Sequence, residues 1–200
     1  MMEKEDRITS DMPTTEQIET ELRREVYRRD YSRVLMSTIG GLVTVAAAAV
    51  LIAVLLLPVL QIFGRSMSPT LREGDIVLSL KTGDFRTGDV VAFYYNNKIL
   101  VKRVIAGPGD WVDLDEDGTV YVNQAKIEEP YLTELAYGET NIELPFQVPE
   151  SKIFVMGDNR AVSVDSRNTA VGCIAEEQVV GKIVFRVWPL QEFGPVGPGI

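Results

Sequence analysis

Ser66 and Lys102 are the side chains in this sequence whose types and settings offer a route to nucleophilic chemistry. The route is narrow, because no histidine occurs anywhere in the 200 residues. That removes a Ser-His-Asp triad, a Cys-His pair, a His-Glu-x-x-His zinc site and every imidazole base. Cys173 is the single cysteine, so neither an intrachain disulfide nor a Cys-rich metal cluster can form. Its neighbours Gly172 and Ile174 supply no base and nothing to lower a thiol pKa, so it reads as a buried apolar thiol. A serine nucleophile must then be activated by lysine, whose free pKa is about 10.4. To accept a proton near neutrality that amine must fall to about 7–8, which takes burial and suitable neighbours.

Lys102 fits that demand. If 98–105 is a strand, alternation sets Leu100, Lys102 and Val104 on one face and Val101, Arg103 and Ile105 on the other. Lys102 is then flanked by apolar side chains, and Arg103 adds positive charge that favours the neutral amine. The same pattern also suits an edge lysine that extends its charge to water. The hydroxyl is offered by Gly64-Arg65-Ser66-Met67-Ser68-Pro69-Thr70-Leu71, a tight connection that composition alone also allows as a plain Ser/Pro turn. A third segment runs from Met156-Gly157-Asp158-Asn159-Arg160 to Ser163, Asp165, Ser166 and Arg167. Its acids and arginines can supply two ion pairs that fix a loop, and Ser163 and Ser166 could hydrogen-bond a buried amine.

The elements that must position these residues follow from hydropathy. No charge occurs from 34 to 64, and 34–57 is almost wholly aliphatic. About 20 apolar residues cross a bilayer as helix, so this stretch suffices. It is too long, and begins too far from the N-terminus, for a cleaved signal, and reads as a retained transmembrane anchor. Arg23, Arg24, Arg28, Arg29 and Arg33 precede it, against Arg65 and Arg72 after it. This asymmetry puts residues 1–33 in the cytoplasm as a polar tail, with a short helix near 14–33, and the remainder outside. Ser66 lies nine residues past Leu57, a reach of about 30 Å at most, so it stays close to the membrane surface. Beyond the anchor, 58–190 is β-rich, with strands at 75–80, 90–95, 98–105, 111–115, 119–123, 153–156 and 179–188. Asn96-Asn97 makes a tight hairpin link. Residues 128–151 form an acidic surface excursion and 191–200 a flexible tail. The fold class is mostly β: a single transmembrane helix followed by an antiparallel barrel or sandwich-like extracytoplasmic domain. At net charge −9 and without a basic stripe past residue 33, the chain is a poor binder of nucleic acid.

These segments together resemble bacterial type I signal peptidase, the membrane-anchored Ser-Lys protease. The blocks are Ser66-Met67-Ser68-Pro69-Thr70-Leu71, Gly74-Asp75-Ile76-Val77, Lys102-Arg103-Val104-Ile105-Ala106-Gly107-Pro108-Gly109-Asp110, and Gly157-Asp158-Asn159-Arg160 running to Arg167. Their order, the anchor and the Val180-Gly181-Lys182 strand also match, over roughly 34–190. The resemblance implies Ser66 as nucleophile, Lys102 as general base and Ser163 as the hydroxyl that orients the amine. It implies Asp158, Asp165, Arg103 and Arg167 as residues that hold the site by salt bridges. It also implies a groove for extended secretory preproteins, with Leu60, Ile62, Met67, Leu71, Val77 and Val101 lining it, cut after small residues such as Ala-X-Ala. Gly64 stands where some members carry an oxyanion-binding serine, so the Ser66 and Gly64 N–H groups are the expected oxyanion donors. Neutral Lys102 would take the Ser66 proton, and an acyl-enzyme would follow. Partners are preproteins and the lipid bilayer, and no metal or organic cofactor is implied. The competing readings are an anchored β-module that binds peptides without cutting them, a self-cleaving repressor of related fold, and a purely structural acidic domain.

Overall fold

The computed structural model describes residues 14–197, and the parts of the expected tails at 1–13 and 198–200 lie outside the described residues. The chain forms two compact units, Met1–Ile52 and Ala53–Ile200.

Thr14 caps the first element. Its N–H donates to Gln17 Oε1 at 2.9 Å and its hydroxyl accepts from the Gln17 N–H at 3.4 Å, a reciprocal cap. Helix α1 then runs Thr15–Leu56 without a break. The polar helix expected near 14–33 and the apolar span expected at 34–57 are therefore one element, because nothing between them breaks a helix: Gly40 and Gly41 cost only about 1 kcal/mol each. The helix is long and apolar enough to cross a membrane. It stops short of Pro58, which disfavours helical geometry in the residue before it.

The second unit is built of strands that pair antiparallel throughout. Across the larger sheet lie β1 (Val59–Gln61), β2 (Ile76–Leu80), β11 (Val179–Trp188), β3 (Val90–Tyr95), β4 (Lys98–Ala106), β9 (Lys152–Met156) and β10 (Ile174–Ala175), with β12 (Gly194–Pro195) on β11. The smaller sheet orders β7 (Ala125–Lys126), β6 (Val120–Val122), β5 (Trp111–Leu114) and β8 (Phe146–Gln147). Asn96 and Asn97 take φ of 44° and 62°, the left-handed pair that a two-residue hairpin requires and that asparagine tolerates. The turn sets the register of β3 and β4, so that Val91 faces Lys102 and Val90 faces Arg103. From Arg103 onward β4 also pairs with β9. Residues 98–102 thus keep one edge without a strand among the described residues, and so does β1.

Alternation along β4 feeds different cores. Leu100 and Val104 pack with Val91, Phe93, Ile153, Val155 and Ile174. Val101 packs against Ile62, Met67, Leu71 and Val77, and Ile105 belongs to a third cluster with Phe154 and Met156. One expectation about irregular chain is corrected. The C-terminal segment does not fray from 191: β12 pairs with β11, Val196 is buried, and Phe193 meets Phe185 edge-on at 4.8 Å. The reason is apolar cover, which composition in glycine and proline concealed. Residues 128–151 do run over the surface as expected, with Val148 as their one buried residue, but they are held closely. A Cβ on Gly118 would sit 2.4 Å from the Ala136 backbone, and one on Gly138 2.4 Å from the Arg160 carbonyl, so this segment is strapped tightly to the domain.

Candidate active site

Strand β4 carries Lys102 inward at 3% exposure, and the loop after β1 carries Ser66 to it. The Lys102 amino group donates to Ser66 Oγ at 2.6 Å. Burial pulls the amine from 10.5 down to about 8; the Asp165 and Asp158 carboxylates pull the other way, while the Arg167 guanidinium acts with burial. Arg167, rather than the expected Arg103, is the positive charge that favours the neutral form, and Arg103 is turned to Asp158. Its Nε and Nη2 hold Asp158 at 2.9 and 2.7 Å, and its Nη1 donates to the Gly88 carbonyl at 2.7 Å.

The segment 157–167 closes over the pair. Asn159 N–H donates to the Ser66 carbonyl at 3.0 Å, tying this loop to the serine backbone. Asp165 accepts from Arg167 Nε and Nη2, both at 2.9 Å, and from the Gly157 N–H at 2.9 Å. Burial works to raise that carboxyl, but these donors and the guanidinium charge hold it below the ordinary carboxylate range. Arg160, expected to pair within the segment, instead takes Glu129 through both terminal nitrogens, and its Nε donates to the Gly157 carbonyl at 3.1 Å. Three arginines, each 1% exposed or less, are thus each matched with a carboxylate.

Two expected contacts to the amine are absent. Ser166 spends its hydroxyl on the Gly172 carbonyl (2.8 Å) while accepting from the Val155 N–H (2.9 Å). Ser163 Oγ is buried without a well-formed hydrogen bond; its dipole lies near Asp165 rather than on Lys102. The Ser66 and Gly64 N–H groups donate to no acceptor among the described residues, and Gly64 has φ +81°, a conformation that favours glycine. Beside the pair opens a cleft of about 550 Å³ whose walls include Leu60, Ile62, Met67 and Val101 together with Gly64, Ser66 and Lys102. Leu71 and Val77, also expected there, are fully buried behind that wall in the core. The resemblance that assigned them to the groove carries a position along the chain, but not whether another layer of side chains covers it. Cys173 packs on the core, and burial pushes its thiol up to about 11, as an inert cysteine should be.

Asn159, Glu129 and Gly157 were missed as site residues. Only Gly157 had a usable signal, its place inside a rigid charged loop. A Cβ there would fall 2.3 Å from Ser163 Oγ and 2.5 Å from the Ser66 carbonyl. Gly157→Ala should therefore push the Ser66 loop off Lys102. A loss of about 100-fold in turnover is expected for a displacement of an ångström, read as kcat on a peptide substrate, while circular dichroism still reports a folded chain. Unchanged kcat would refute the close approach.

A family model described as "Signal peptidase, peptidase S26" matches residues 35–188. Signal peptidase IB of Staphylococcus aureus is 45% identical over 150 residues, covering 65% of this chain and 77% of that protein. Signal peptidase I of Bacillus licheniformis is 36% identical over 171 residues, covering 79% and 91%. A crystal structure of a signal peptidase I from Enterococcus faecalis V583 superposes with a TM-score of 0.41 at 28% identity, covering 50% of this chain and 96% of that one.

Proposed function

Because the chain belongs to the signal peptidase family, peptidase S26, and is a peptidase by that membership, we propose that Ser66 and Lys102 form its catalytic pair and that it removes signal peptides from secretory preproteins. The observation that carries this reading is the 2.6 Å contact between Ser66 Oγ and a buried lysine amine. Neutral Lys102 accepts the hydroxyl proton as Ser66 Oγ attacks the scissile carbonyl. The acyl-enzyme forms as the C–N bond breaks, and the new ammonium returns its proton to the leaving amine. The amine then takes a proton from water as hydroxide adds to the ester; the bond from the carbonyl carbon to Ser66 Oγ breaks, the ammonium returns its proton to Oγ, and the carboxyl product leaves. The free Ser66 and Gly64 N–H groups suit the oxyanion, where one such donor is worth about 3 kcal/mol.

The substrate lies extended along the unpaired edges of β1 and of residues 98–102, adding a strand to the sheet. Next to Ser66 the cleft wall is Ile62, Met67 and Val101, apolar side chains already committed to core packing. This favours small apolar side chains at the first and third positions before the cut. Helix α1 anchors the enzyme, with the arginine-rich side in the cytoplasm and the β unit outside. Asp158, Asp165, Arg103 and Arg167 hold the site by their ion pairs, and Ser163 presents its unengaged hydroxyl to it.

The test is a preprotein-derived peptide with alanine at both positions, offered to the full-length enzyme in detergent. Cleavage after the alanine nearer the cut is expected, and leucine at that position should lower kcat/KM about 100-fold. Equal cleavage of both peptides would reject the small-residue specificity, and no cleavage of either would return the peptide-binding module to the front.

A further inference from the structure

Glu129 lies in the strap 128–151, far in sequence from both reacting groups, yet its carboxylate is almost wholly enclosed (5% exposed). Two side chains meet it with three donor atoms. Arg160 grips it with both terminal nitrogens, and the Tyr131 hydroxyl donates to its Oε1 at 2.7 Å. The Tyr131 ring lies beneath the Arg103 guanidinium, 3.8 Å from carbon to centroid, which connects this cluster to the Arg103–Asp158 pair. Arg160 in turn bonds the Gly157 carbonyl with Nε, and its own carbonyl accepts from Arg167 Nη2 at 3.0 Å. One residue before it, the Asn159 N–H holds the Ser66 carbonyl. The turn that holds the serine backbone is thus braced by Arg160 at the Gly157 carbonyl, beside the Asp165 contact to the Gly157 N–H, and Arg160 is anchored through Glu129.

We propose that Glu129 is a positioning residue for cleavage: through Arg160 it fixes the 157–160 turn against Ser66 and cancels a guanidinium charge beside Asp158. This rests on reading Ser66 and Lys102 as the reacting pair. The charged groups that act on Lys102 are Asp165, Asp158 and Arg167. Asp158 also acts on Arg160, so it couples the two clusters. With Glu129 neutral, the Arg160 charge draws on Asp158, and the negative field that helps Lys102 hold its proton weakens. The amine then loses its proton at lower pH.

The experiment compares full-length wild type, Glu129→Gln, Glu129→Asp and the double variant Glu129→Gln/Arg160→Gln on the alanine-containing peptide, with kcat and KM measured from pH 6 to 10. In Glu129→Gln, kcat falls about tenfold with KM nearly unchanged, as expected for a serine held slightly out of line. The acid limb of its profile moves down by about half a pH unit. The double variant, with no unmatched guanidinium, returns the limb to its wild-type midpoint while kcat stays low. Glu129→Asp keeps the charge and the midpoint, and carries the test if Glu129→Gln does not fold. A drop in kcat with the Glu129→Gln limb unmoved would make the residue merely structural and overturn the inference, as would wild-type kinetics in Glu129→Gln or a Glu129→Asp limb displaced from wild type. Lys102→Ala, run alongside, separates the failures. If it still cleaves, the Ser66–Lys102 reading falls; if it is inactive while Glu129→Gln matches wild type, only the role of Glu129 falls.

Discussion

Ser66→Ala and Lys102→Ala are each expected to lower kcat/KM about 10⁴-fold or more, and the double variant should cost little beyond either single one, because nucleophile and base act as a unit. The wild-type profile should rise tenfold per pH step below about 8 and level off above it, since burial sets the Lys102 amine there and only the neutral form can take the Ser66 proton. The same burial weakens the fold. An unfolded chain protonates this amine up to about 10.4, so below pH 8 the folded state bears the full cost of a desolvated amine, about 3 kcal/mol. That cost fades as the pH rises from about 8 to about 10.4. Lys102→Met should accordingly be inactive and yet melt higher than wild type at pH 7, with the gain shrinking toward pH 10. A profile whose midpoint sits near 10, or a Lys102→Met variant less stable than wild type at neutral pH, would contradict a buried neutral base.

Arg167→Ala is the substitution expected to harm stability most. Its guanidinium is fully buried, holds both Asp165 oxygens and donates to the Tyr137 carbonyl at 2.8 Å as well as to that of Arg160. Truncation leaves a buried carboxylate whose remaining donor on one oxygen is the Gly157 N–H, and opens the joint between the strap and the 157–167 loop. Breaking a buried pair from one side costs about 3–5 kcal/mol, or a melting temperature about 10 °C lower for a domain of this size. Arg167→Lys should recover little, because an ammonium cannot bridge two carboxylate oxygens as the planar fork does. Any activity left should show its acid limb at higher pH, opposite to Glu129→Gln, since the positive charge that helps keep Lys102 neutral is gone while Asp165 stays. Thermal melts of the three proteins at pH 7 decide it: a fall of a degree or two would mean that the pair contributes no more than an exposed one.

Much of this architecture was legible in residue order alone. The absence of histidine, one inert cysteine and a lysine between Leu100 and Val104 pointed toward a Ser-Lys chemistry, and the resemblance of the ordered motif blocks singled out Ser66 and Lys102. Period-two patterning located β3, β4 and β11 within a residue, and the uncharged run marked α1, because these signals reside in neighbours along the chain. What the chain order could not carry was which distant groups meet. Ser66 reaches Lys102 across 36 residues, Arg160 chooses Glu129 across 31 rather than the acids beside it, and Leu71 and Val77 end behind the cleft instead of in it. A sequence specifies which side chains must leave water and which charges then need partners. Which partner each one finds, and how far the amine is stripped of solvent, was settled only when the sheets closed and brought β1, β4 and the 157–167 loop within a few ångströms of one another.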